Sequence, residues 1–488
     1  MKKNSYNSII RSTGLIGFVH IVKLLTGFVR NKIVAIYWGP SGVGIWGLCT
    51  SWIEMLQFVS LVGMEKSVVK GIAEETNIKN RQRTIQISCL LLFASSILCM
   101  TATFLFSKSF SLITFGSDKH QAEIVVCGFV AIFTSASILI GAVLNGLREL
   151  KSLALFQLSG IIIGNLFVYF MIPYANENYA PYLLLLNAVF LTMTGVFAFA
   201  RVSMSWEPIS LNHIGSSISN LFEVGGGVWV TSMSMAVMTY MVNLLIRDSL
   251  GTSVLGMYLA GWSVSSMFIG ILLSSMSAGY FPEICAAKND LQKSTAIINS
   301  QVEFGLLISF PIVCCVYCFG EFILSLLYSD EFSNAASMLR WLMSGVSVRL
   351  LGYPLSYALL AKGKMGQYVI SQFVFQILNY CTLWLLVALS DDRYLGASFF
   401  FSYLIYIVLT YYFCKRSYAF NFSRFVYLLI SLYAIAAIIL SRSFFRHGVI
   451  GVFVGFTIIL ASITFSLYQF KMRSGIDFVE IFRQKFFK

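Results

Sequence analysis

The chain has 488 residues, 58% hydrophobic and only 11% charged, with a formal net charge of +13. Soluble domains average about 25% charged residues, so a mean hydropathy of +0.79 leaves no room for a sizeable soluble domain. The excess of Lys and Arg fits basic loops on one membrane face rather than a nucleic-acid interface, and no nucleic acid is expected as a partner.

Apolar runs able to cross a ~30 Å hydrocarbon core as helices recur from end to end. The ~10-residue alternating strands of a membrane β-barrel are absent. The expected fold is an all-α polytopic membrane protein in a lipid bilayer. Fourteen transmembrane helices are read, at about 9–36, 42–64, 85–106, 122–146, 153–173, 181–200, 222–246, 253–277, 300–319, 336–360, 368–389, 396–414, 424–440 and 448–470.

The first segment follows the basic stretch "MKKNSYNSIIR". It is too long for a signal-peptide h-region and no small-residue cleavage site follows, so it is read as a span. At 3.6 residues per turn, His20, Lys23, Gly27 and Arg30 lie within about 80° of one another on it. A charge at mid-membrane costs several kcal/mol, roughly, and should face a water-filled cavity or a partner. For Lys23 the alternative is a pair with Glu54; for Arg30 it is snorkelling outward.

"YWGPSGVGIWGL" (37–48) joins spans one and two. Its GxGxxG match lacks the strand and βαβ context of a dinucleotide site, so its glycines are read as shaping a turn. On span two, Thr50, Glu54 and Gln57 share a face. Glu54 is the carboxylate placed clearly within a span, and it is a candidate for coupling to a proton or sodium ion, with pairing to Lys23 equally open. "MEKSVVKGIAEETNIKNRQRT" (64–84) reads as an amphipathic surface helix.

Farther along, Ser232, Thr239 and Asn243 share a face of span seven, and Asn243 is a candidate substrate contact. Glu303, near a span end, reads as interfacial. Cys315 and Cys318 form a CxxC spacing without a second pair or a His cluster, which reads as helix packing; no metal site and no cofactor are expected. "GEFILSLLYSDEFSNAA" (320–336) reads as the longest outer loop. On span ten, Gly345, Arg349, Gly352 and Ser356 form a small-residue stripe with one charge. Arg349 either lines a cavity or pairs between helices, and Arg340, nearer the outer end, reads as interfacial.

Most of the 34 Lys and Arg residues fall on the same side as the N-terminus when the spans are threaded, which places both termini in the cytoplasm. An internal repeat is also legible. Gly39 and Gly44 in the first connection are matched 212 residues on by Gly251 and Gly256 in "DSLGTSVLGMYLA" (248–260), and Trp46 by Tyr258. "VLNGLRELK" (143–151) is echoed by "LLAKGKMGQ" (359–367). A six-span unit used twice enters the membrane from the same side both times, so the copies form a parallel repeat. The expected division is a six-helix lobe over 1–205, a second over 206–415, and two extra helices with a basic cytoplasmic tail over 416–488.

"GPSGVGIWGL", "NGLRELKSLALFQL", "LLYSDEFSNAASMLRWLMSG" and "LLAKGKMGQY", in this order and spacing, resemble the Wzx-type O-antigen or oligosaccharide flippases, polysaccharide transporters of the multidrug/oligosaccharidyl-lipid/polysaccharide exporter superfamily. The resemblance covers most of the chain and weakens after about residue 420. It implies two six-helix lobes flanking a V-shaped cationic cavity, coupling to an ion gradient, and transport of an undecaprenyl-pyrophosphate-linked oligosaccharide to the periplasmic leaflet of the bacterial inner membrane. Other membrane proteins of polysaccharide assembly are candidate partners. Twelve-span members lack the two terminal spans, so nothing carries over there.

The resulting expectation is a transporter and not an enzyme. Lys23, Arg30 and Arg349, with His20 and Asn243, would receive the cargo, because cationic groups replace the hydration of a phosphate and Arg engages it in bidentate fashion. A drug or cation antiporter on the same fold would instead need acidic residues. A membrane glycosyltransferase or polymerase would need a large outer loop or acidic metal ligands, for which "SDEF" (329–332) and "DDR" (391–393) are too slight. A peptidoglycan-precursor flippase is similar in fold and span number.

Overall fold

The computed structural model describes residues 2–61, 63–202, 211–389, 391–441 and 449–474. Its long elements are α-helices: α1 (Lys2–Leu61), α2 (Met64–Glu74), α3 (Ile78–Leu105), α4 (Ser107–Phe115), α5 (Gln121–Gly146), α6 (Leu150–Met171), α7 (Ala180–Ala200), α8 (Leu211–Leu250), α9 (Thr252–Ala287), α10 (Leu291–Leu327), α11 (Ala336–Ala361), α12 (Met365–Ala388), α13 (Ala397–Tyr418), α14 (Arg424–Ser441) and α15 (Val449–Ser474). Helices dominate because a bilayer core offers no water to unpaired backbone groups.

Every predicted span falls on a helix. Among the described residues, ten helices are long and apolar enough to cross a membrane, or eleven with α1 and α2 taken as one bent span. The remaining predicted spans are the halves of α1, which carry Lys23 and Arg30, α11, diluted by Arg349 and interspersed Ser, Gly and Pro, and the shorter α14.

α1 is two helices joined at Gly39, whose φ of 63° and ψ of −163° break the helical path. Pro40 then opens the second half, where its missing N–H costs nothing. The halves turn back on each other: the Arg30 guanidinium carbon reaches to 5.0 Å from the Trp46 ring centroid, and the Trp38 and Trp46 rings lie 6.2 Å apart. The 64–84 segment is two helices, α2 ending at Glu74 and α3 beginning at Ile78. α2 buries Met64, Ser67, Val68 and Ile72 in a core with Ile85, Leu92, Leu139 and Val143. It therefore packs against α3 and α5 rather than lying free on the bilayer.

The backbone divides into two compact units, Met1–Gly256 with Leu327–Ser329, and Met257–Leu326 with Asp330–Lys488. The first unit includes α8, which packs on α1 and α2. In it the repeated loop motifs meet. Gly251, at φ 91°, precedes α9 as Gly39 precedes the second half of α1. A Cβ on Gly44 would stand 2.2 Å from the Thr252 carbonyl oxygen, and one on Gly256 would stand 1.8 Å from that of Pro40. Ser41 Oγ and Thr252 Oγ1 share a hydrogen bond of 3.1 Å. The crossing is reciprocal, each copy offering a glycine to the other's carbonyl.

In the second unit, α14 and α15 are stapled to α10. Glu303 is buried, accepts from Ser423 Oγ at 2.5 Å, and pairs with Arg473 at 2.5 Å. Ser466 Oγ donates to the Leu307 carbonyl at 2.8 Å. Glu303 thus anchors the contact of α10 with the two terminal helices. Arg340 is likewise enclosed. It is 6% exposed, donating Nε to the Tyr317 carbonyl at 3.1 Å and Nη2 to Glu321 at 3.0 Å, because a buried guanidinium needs acceptors. The expected 320–336 loop is mostly ordered helix: α10 runs to Leu327 and a 3₁₀ stretch spans Asp330–Ala335, with Leu324 and Phe332 fully buried.

Candidate functional site

The first half of α1 presents two opposed faces. Phe18, Ile21, Leu25 and Val29 are 48–61% exposed and form one stripe. His20, Lys23 and Gly27 lie about 180° away at 100° per residue. His20 and Lys23 are also exposed, and a Cβ at Gly27 would meet open space. Among the described residues of this unit, then, His20 and Lys23 are left uncovered, and they point away from the side chains suited to lipid.

Lys23 and Glu54 act on each other electrostatically. No ion pair within 4.0 Å forms between them among the described residues. Glu54 is exposed on the second half of α1, while its neighbours on that face are occupied: Thr50 Oγ1 donates to the Trp46 carbonyl at 2.9 Å, and Gln57 Nε2 donates to Thr134 Oγ1 of α5 at 2.5 Å.

Arg30 sits deeper, half-buried at the end of the stripe. Nη2 donates to Asn31 Oδ1 at 3.3 Å, and Asn31 Nδ2 in turn donates to the Tyr328 hydroxyl at 3.4 Å. The guanidinium stacks on Trp46. Tyr169 of α6 holds the same stretch of α1 by donating to the Thr26 carbonyl at 2.5 Å. Arg30 Nε is buried with no hydrogen-bond partner among the described residues. An unsatisfied buried donor costs about 1–3 kcal/mol, more when charged. The site is thus a cation held by an aromatic face and short one acceptor.

Arg349 lies in the second unit, half-buried on α11. Its small-residue stripe packs on α13: a Cβ on Gly345 would stand 2.4 Å from Phe399 Cδ1, and one on Gly352 would stand 2.8 Å from Tyr406 Cε1. Arg349 emerges from this contact 5.8 Å from the Tyr403 ring centroid, with Tyr368 and Tyr406 within electrostatic reach. It has no carboxylate partner among the described residues. Asn243 is 2% exposed on α8 within the first unit, whereas His20 and Lys23 are exposed.

The structure thus brings together His20, Lys23, Arg30 and Glu54 on the two halves of α1. Sequence reasoning missed Asn31, Trp46, Tyr169 and Tyr328 as the setting of Arg30. Trp46 had a signal, since it recurs in the loop repeat, and Asn31 is the next residue to Arg30; Tyr169 and Tyr328 had none, because their contacts with α1 span 143 and 297 residues of chain.

The family model described as "Polysaccharide biosynthesis protein" matches residues 33–337. The chain belongs to this family. It is 22% identical over 403 residues to the lipid III flippase of Escherichia coli (strain K12), covering 80% of this chain and 94% of that protein. The fold matches the lipid II flippase MurJ in an inward closed conformation, with a TM-score of 0.72 at 12% identity over 95% of this chain and 99% of that one. It also matches an inward-facing multidrug resistance MATE family transporter of the MOP superfamily, with a TM-score of 0.68 at 13% identity over 81% and 95%. This polysaccharide biosynthesis family member is therefore a multi-pass helical membrane protein with the fold of the MOP transporters, as its loop motifs imply.

Proposed function

We propose that the protein flips a lipid-linked oligosaccharide, an O-antigen-type repeat on undecaprenyl pyrophosphate, from the cytoplasmic to the periplasmic leaflet of the inner membrane, without catalysing a reaction. The observation that carries this reading is that Lys23, Arg30 and Arg349 lie in membrane helices without a carboxylate in ion-pair contact among the described residues. A pyrophosphate supplies the negative charge and acceptor oxygens they lack. Arg30 is the best fitted, since its Nε is a donor without an acceptor and a guanidinium can grip phosphate with two parallel hydrogen bonds. The relative's name, lipid III flippase, supports the substrate class, and the MurJ and MATE folds support transport by alternating access.

Glu54, exposed beside Lys23, is the proposed coupling group. Binding a proton or sodium ion there would change the field at Lys23, and it biases transport only if the two access states differ in affinity for that ion. A cation antiporter on this fold would present carboxylates where Arg30 and Arg349 stand.

The test is complementation. Deleting the gene in its host should abolish surface polysaccharide and trap lipid-linked repeats inside, and the wild-type chain should restore both. Normal polysaccharide from Lys23→Ala with Arg349→Ala, at unchanged protein level, would falsify the assignment of the cations.

A further inference from the structure

Away from the α1 stripe, the first unit holds an apolar slot of about 290 Å³ walled by α3, α5 and α7, with Cys89, Leu92, Phe93, Ala136, Val143 and Phe199 among its lining residues. Phe93 is 67% exposed and its helix neighbours Leu90 and Ile97 are each 50% exposed, so the slot opens onto an apolar surface. An open apolar slot at bilayer depth forfeits dispersion contacts unless an apolar chain fills it.

One end of the slot is ringed by cations. Arg81 and Arg83 begin α3, one to two turns before Cys89. Arg148 follows Leu147, and Arg201 follows Phe199 by two residues; Ile85, Leu147 and Phe199 pack in one core cluster. Lys151 and Arg201 flank Leu150 and Val202, which pack together in the adjoining cluster. The ends of all three walls thus bring positive charge to one rim. Arg148, Lys151 and Arg201 are exposed. Arg81 Nη2 donates to the Glu75 carbonyl at 2.8 Å, but the Nε atoms of Arg81 and Arg83 are buried with no hydrogen-bond partner among the described residues. Two acids lie beside the ring: Glu149, which is exposed, and Glu75, whose carboxylate accepts from the Asn77 N–H at 3.0 Å; Glu74 on α2 pairs with Lys70 at 3.9 Å.

We propose that this is a resident site for an anionic glycerophospholipid. The phosphate sits on the rim formed by Arg83, Arg148 and Arg201, and one acyl chain lies in the slot. Basic pockets between helix ends bind anionic headgroups in this way. The length of the slot favours this occupant. From Cys89 to Ser96 on α3 is about 10 Å, and from Val143 to Ile132 on α5 about 16 Å, at 1.5 Å per residue. That suits a single acyl chain, whereas a polyprenyl tail would leave most of its length outside.

The experiment uses the full chain, delipidated in detergent and reconstituted in nanodiscs of phosphatidylethanolamine with or without phosphatidylglycerol. Phosphatidylglycerol should raise the melting temperature by about 3 °C or more and be retained in native mass spectra. Arg83→Gln with Arg201→Gln should remove the increment by clearing the rim, and Ala136→Phe should remove it by filling the slot while leaving every charge in place. Should Ala136→Phe fail to fold, Cys89→Leu narrows the slot from the other wall. An increment that survives both kinds of variant, or no preference for phosphatidylglycerol, overturns the site. Stronger stabilisation by undecaprenyl phosphate through the same residues overturns the assigned occupant. Cargo movement is not the readout, so either failure leaves the transport reading standing.

Discussion

At Arg30 a guanidinium does two things that an ammonium cannot. It stands over the Trp46 ring, 5.0 Å from the centroid, and it keeps Nε in reserve while Nη2 holds Asn31. Lysine could supply the charge but neither the stacking nor the fork geometry. Arg30→Lys should therefore fold normally yet lower cargo movement by about tenfold to a hundredfold, the worth of one lost hydrogen bond to a charged group at roughly 1.5–3 kcal/mol. Transport assayed at matched protein level in vesicles checks this; a wild-type rate would mean that Arg30 is structural. Arg340 is the contrasting case, since Tyr317 and Glu321 already satisfy it. Arg340→Met should lower the melting temperature in detergent, by about 1–3 kcal/mol in stability, because Glu321 is partly solvated and strands only in part. In the sequence each is a lone guanidinium in an apolar run, Arg30 on span one and Arg340 toward the outer end of span ten. What separates them is the neighbour across the helix contact, and local spacing carries no record of that.

Among the elements, the helix pattern was legible throughout, because long apolar runs in a bilayer have few alternatives. The breaks were legible where glycine marked them. Gly39 and Gly251 take left-handed φ values of 63° and 91°, and the spacing that flagged them as a repeat also brought their motifs into contact. The staple of α14 and α15 was not legible, since Glu303 and Arg473 lie 170 residues apart. Gly44→Ala and Gly256→Ala should each sharply reduce the yield of monodisperse protein, because the obstacle is a carbonyl of the backbone rather than a flexible side chain. Since both relieve one crossing, the double variant should fall short of the sum of the two. Glu303→Gln should loosen α15 selectively, read as faster hydrogen exchange near Arg473 with α3–α7 unchanged.

For the whole molecule, composition settled the class and loop motifs pointed to the family, while the proposed cargo recognition rests on a few cations that the bilayer makes costly to keep. Their retention without acid partners is the central claim, and affinity for undecaprenyl pyrophosphate against uncharged undecaprenol tests it most directly. Purified protein in nanodiscs should bind the pyrophosphate form at least tenfold more tightly, and Lys23→Ala with Arg30→Ala should erase that difference while leaving the melting temperature within a few degrees of wild type. Equal affinity for the two lipids, or a preference that outlasts both substitutions, would contradict the account.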